Sequence, residues 1–129
     1  MKEKQKKARE GIKPSNVSYP ATNTWDWQTY NGADSNLNDF IGLHKDVGFF
    51  FIGTDSTYSG KFSVFTTALV AYKKGRGGNI LIHKDKTDIV PAMRQRLLLE
   101  AMRSLECAWL VEKLLPEDVV ISIHLDVNP

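Results

Sequence analysis

Cysteine is almost absent from this 129-residue sequence. Cys107 stands alone, so no internal disulfide can form, and a reducing compartment is indicated. Long apolar runs are missing: no stretch reaches the roughly 18 residues that a membrane span needs. The N-terminal MKEKQKKAREGIK has no apolar segment behind its charges, so no signal peptide is expected. Internal repeats and low-complexity tracts are also lacking. Nor does one sign of charge dominate the body. Residues 1–13 carry six Lys or Arg and two Glu, whereas the remainder carries 11 basic and 13 acidic residues. The positive charge belongs to an arm. A soluble, cytoplasmic chain without membrane association follows as the expectation.

What is present can build a core. Hydrophobic residues make up 42% and aromatics 10%, enough for one domain at this length. Residues 1–45 read as a basic arm followed by an irregular, Pro-, Ser- and Asn-rich lead-in whose Trp25 and Trp27 dock on the body. Residues 46–129 carry the periodic segments. The run from Val47 to Asp55 (VGFFFIGTD) predicts a strand buried on both faces. After the turn at Tyr58-Ser59-Gly60, Lys61 to Lys73 predicts a second strand, rich in Phe, Val and Thr. Gly75-Arg76-Gly77-Gly78 precedes another strand rather than a helix, which makes it a hairpin turn and not a dinucleotide fingerprint. A short third strand follows from Asn79 to His83. Thr87-Asp88 predicts the cap of a long helix ending near Leu115, and Pro116 stops it. Asp118 to Asp126 (DVVISIHLD) predicts a fourth strand, and a helix joining two strands implies a parallel crossover.

Two carboxylates hold equivalent places in this order. Asp55 and Asp126 each close a hydrophobic strand, and parallel neighbours would bring both to the carboxyl edge of the sheet, where ligands of open α/β sheets bind. Adjacent carboxylates repel unless a cation lies between them, and oxygen ligands suit Mg²⁺ or Mn²⁺. Glu100 is the natural third ligand, on the margin of a stripe formed by Leu97, Ala101, Ser104, Ala108 and Val111. The plainer alternatives are an Asx turn for Asp55, an ordinary strand-end residue for Asp126, and a surface ion pair of Glu100 with Arg96 or Arg103. His44 and His83 have no partner at zinc-ligand spacing, and Cys107 reads as a packed thiol.

The βββ-α-β order, with IGTDSTYSGKFSVFTTALVAYKKGRGG, RQRLLLEAMRSLE and ISIHLDVNP, resembles the YkuK-like family of ribonuclease H-like proteins over roughly residues 46–129. The resemblance implies an α/β ribonuclease H-like fold: a three-stranded antiparallel meander, a long helix, and a fourth strand parallel to the first. It also implies Asp55, Glu100 and Asp126 as catalytic metal ligands. The activity it implies is divalent-metal-dependent hydrolysis of phosphodiester bonds in RNA, RNA–DNA hybrid or structured DNA, with two ions about 4 Å apart. Lys73, Lys74 and Arg76 at the hairpin tip would hold the phosphates of the nucleic acid. Such enzymes usually continue with a fifth strand and a further acidic residue, which this sequence lacks. A C-terminally short domain is therefore expected, with the fourth-strand edge covered by a homodimer or a partner chain. The competing expectation is a non-catalytic module of the same fold that binds nucleic acid or protein.

Overall fold

Extended segments between residues 49 and 87, with clean period-two alternation at Ser63–Lys73, write most of the architecture. The computed structural model describes residues 25–88 and 92–125. Three long antiparallel strands, β3 (Phe49–Tyr58), β4 (Ser63–Lys73) and β5 (Gly77–Thr87), form the meander. At its tip Gly75 and Gly77 adopt φ of +83° and +79°, a backbone conformation that glycine tolerates at little cost. The chain then enters the helix α2 (Met93–Glu112) and returns as β6 (Val120–His124), parallel to β3 with Phe51 opposite Ser122 and Gly53 opposite His124.

Two further strands, β1 (Trp27–Thr29) and β2 (Asp34–Ser35), extend the sheet on the β5 side. The six-stranded order is β2-β1-β5-β4-β3-β6. Between β2 and β3 lies the helix α1 (Leu37–Leu43), whose Asn36 side chain accepts a hydrogen bond from the backbone N–H of Asp39 at 3.2 Å. The stretch 25–45, expected as irregular, therefore contains two strands and a helix. Elements of two, three and seven residues are too short to leave a period in the sequence, and β1 exists because β5 offers it an edge.

Alternate residues of the meander separate cleanly. Phe50, Ile52, Phe65, Leu69, Ala71 and Leu81 point to one face and are buried. Both helices cover that face: Leu37, Phe40 and Ile41 of α1 and Cys107 and Val111 of α2 join the same core. Trp25 and Trp27 are buried there too, with Trp25 stacked on the His83 ring at 4.3 Å. Burial pushes the Cys107 thiol pKa up, consistent with a packed side chain.

One burial pattern and two boundaries differ from expectation. β3 is covered on one face only, because its second face meets no described element; Phe49 is 47% exposed. β5 runs on through His83-Lys84-Asp85-Lys86-Thr87, since continuous pairing with β4 outweighs its polar composition. Thr87 therefore belongs to a strand, and α2 begins after Ala92 without a side-chain cap.

Candidate functional site

Residue parity decides which groups can meet. Asp55 does not close β3: it is the seventh of ten residues, opposite Thr66 of β4. Its neighbours Thr54 and Ser56 face α2, so Asp55 faces away from it. The Asp55 carboxylate is exposed, and its Oδ1 accepts a hydrogen bond from the Ser56 backbone N–H at 2.9 Å. It shares a shallow depression on the uncovered face with Gly53, Thr66, Ala68 and His124.

Glu100 lies on the opposite side of the sheet. It is buried in the first half of α2, and the Ser56 hydroxyl donates to its carboxylate. The inward stripe of α2 runs through Glu100, Arg103, Ser104, Cys107 and Val111, rotated from the stripe of small residues expected. Polar residues occupy it because the strands beneath supply partners. Ser104 and Thr54 hydroxyls bond at 2.8 Å, and Thr54 reaches Thr67 at 3.1 Å. Arg103 Nε donates to Asp85 Oδ2 at 2.8 Å, while its guanidinium sits 3.9 Å from the centre of the Phe65 ring. Arg103 is thus paired across the core with Asp85, not along the helix surface with Glu100.

Asp55 and Glu100 are consequently separated by the sheet itself, which corrects the expectation that strand and helix bring them to one edge. The reason is a single position of strand phase: Ser56, not Asp55, meets Glu100. Asp126 lies outside the described residues. Among the described residues no three His, Cys, Asp or Glu side chains are grouped to hold an ion. At the hairpin tip, Lys74 and Arg76 are exposed, whereas the Lys73 ammonium pairs with Asp46. That ion pair holds the Asp46 carboxyl below its ordinary value.

The residues missed from sequence are Thr54, Ser56, Thr67 and Asp85 in the covered network, and Phe49, Phe51 and Tyr72 on the uncovered face; the sequence singles out Arg103, but with the wrong partner. The alternation of β4 carried the missing signal: Ser63, Phe65, Thr67, Leu69 and Ala71 against Val64, Thr66, Ala68, Val70 and Tyr72.

A mixed sheet with a long crossover helix returning parallel to the first meander strand is a ribonuclease H-like α/β arrangement. A family model described as ribonuclease H-like matches residues 34–129, and the chain belongs to that family, the YkuK family which its motifs resemble. No curated protein and no solved structure matches it. No helix among the described residues is long and apolar enough to cross a membrane.

Proposed function

We propose that this chain is a ribonuclease H-like module that binds nucleic acid and does not cleave it through an Asp55–Glu100–Asp126 metal centre. The observation that carries this reading is the Ser56–Glu100 hydrogen bond on the covered face, with Asp55 on the other. Nucleic acid is the partner favoured by charge: the arm at residues 1–13 and the exposed Lys74 and Arg76 at the hairpin tip offer phosphate contacts without base readout. The single, buried cysteine supports a cytoplasmic setting.

One observation favours a second reading, a nuclease dependent on Mg²⁺ or Mn²⁺. Asp55 shares its face with His124, and Asp126 follows two residues later in the sequence. Labelled RNA–DNA hybrid, single-stranded RNA and duplex DNA, incubated with either ion and run on native and denaturing gels, separate the two. The expected result is retarded but intact nucleic acid, for wild type and Asp55→Asn alike. Cleavage by wild type that Asp55→Asn abolishes establishes the nuclease instead, and absence of any complex rejects nucleic acid as the partner.

A further inference from the structure

The uncovered face of the sheet carries a patch that no described element covers. Register places Tyr72 beside Phe49, Val70 beside Phe51, and Gly53 beside His124 on this face. The Phe49 and Phe51 rings lie nearly parallel, 8° apart with centroids separated by 6.1 Å. Tyr72 and His124 stand edge-on to Phe51, at 6.1 and 5.2 Å. Phe49 and Tyr72 are 47% and 40% exposed. Val70, opposite Phe51, and Ile80, opposite Val70 on β5, continue the apolar surface beside them.

Basic side chains bracket this aromatic surface. Lys84, paired with Thr66, and Lys86, paired with Val64, occupy the same face of β5 beyond the apolar rows. Lys74 and Arg76 project from the β4–β5 turn at the other end. The six residue steps from Thr66 to Tyr72 set the two basic ends roughly 20 Å apart.

Charge and size together choose the occupant. The apolar rows extend about 20 Å along the strands and about 19 Å across four of them, roughly 400 Å². A stable pairing of two copies buries about 800 Å² per partner, so a second copy would need twice this surface. A short single strand of nucleic acid needs only faces for its bases and cations for its phosphates, and both are here.

We propose that this face is a stacking platform for single-stranded nucleic acid. Bases lie on Phe49, Phe51 and Tyr72, and phosphates are held by Lys84 and Lys86 at one end and by Lys74 and Arg76 at the other. The proposal rests on the nucleic-acid reading above and names where that partner binds. Asp55, in the row of Lys84 across Thr66, marks the acidic limit of the platform.

The test uses the full chain and fluorescence anisotropy with labelled oligouridine, oligothymidine and a duplex of equal length. Wild type is expected to bind both single strands more tightly than the duplex. The Phe49→Leu/Tyr72→Leu pair keeps apolar bulk but removes the rings, so single-strand affinity should fall roughly tenfold per ring while circular dichroism and the salt slope stay unchanged. Lys84→Gln/Lys86→Gln should instead flatten the slope of log K against log salt by roughly 1.4. Wild-type affinity in the folded Leu pair overturns the platform while leaving nucleic-acid binding intact. No binding of any probe by wild type overturns the parent reading. A dimer seen by sedimentation that Val70→Asp dissociates, with no oligonucleotide bound, assigns the face to protein association and also overturns the platform.

Discussion

The two faces of one sheet are built from alternate residues of the same strands, yet they solve different problems. On the covered face, helices remove water, and polar groups there are tied to one another: Glu100 to Ser56, Thr54 to Ser104, Arg103 to Asp85. Burial makes such pairing obligatory, since an unpaired charge in the interior is expensive. On the uncovered face, apolar side chains meet no described element, and charged groups sit at the rim, Lys84 beside Thr66 and Lys86 with its ammonium 4.0 Å from the centre of the Phe62 ring. The contrast teaches that a carboxylate's face, rather than its place in a motif, decides what it can do. Glu100 is a structural acid by position; Asp55 is an exposed one.

The sharpest way to break this contrast is at Arg103, which is 1% exposed. Arg103→Ala strands the Asp85 carboxylate in the core and should cost about 3–5 kcal/mol in urea unfolding. Lys84→Ala, one residue before Asp85 on the same strand, should change stability by less than about 0.5 kcal/mol. Similar costs at both positions would mean that the faces are not distinguished by burial. Ile52→Ala beneath α2 should follow at about 2–5 kcal/mol. Val70→Ala on the uncovered face should cost clearly less, because a partly exposed side chain has less apolar surface to lose. An equal loss at Val70 would reveal that something covers this face in solution.

Much of the meander was legible in the sequence because its strands are long and bounded by glycine turns. The parallel return of the last strand followed from a long helix placed between two strands. The face of Asp55 was not legible. In Val47-Gly48-Phe49-Phe50-Phe51-Ile52-Gly53 every position is apolar or glycine, so the run carries no alternation from which strand phase could be read. Only tertiary contact separates Phe50 and Ile52, which meet the helices, from Phe49 and Phe51, which do not. Glu100 was located on the correct half of the helix, but its partner was misjudged for the same reason.

That error has a direct measurement. Glu100→Ala removes the acceptor of the half-buried Ser56 hydroxyl and should cost about 1–3 kcal/mol. Asp55→Ala, one residue from that hydroxyl in sequence but across the sheet, should stay within about 0.5 kcal/mol. Were the two carboxylates clustered, removing either would relieve repulsion and stabilise the fold; a gain on mutating Asp55 would therefore restore the clustered site.

The smallest effect concerns the hairpin tip, where Lys73, which shares the strand parity of Leu69 and Ala71, pairs with the exposed Asp46. Lys73 holds the Asp46 carboxyl below its ordinary value of 3.8, chiefly through their hydrogen bond. A depressed carboxyl adds stability that is present above pH 3.8 and is lost as the pH falls through the depressed value. Both groups are well exposed, so the gain is slight and salt weakens it further. NMR titration of Asp46 should show its pKa rise toward the ordinary value in Lys73→Gln. The same pairing reduces what Lys73 can offer a phosphate. Lys73→Gln should therefore lower oligonucleotide affinity less than Lys74→Gln or Arg76→Gln, and a larger loss at Lys73 would mean that phosphate displaces Asp46 from it.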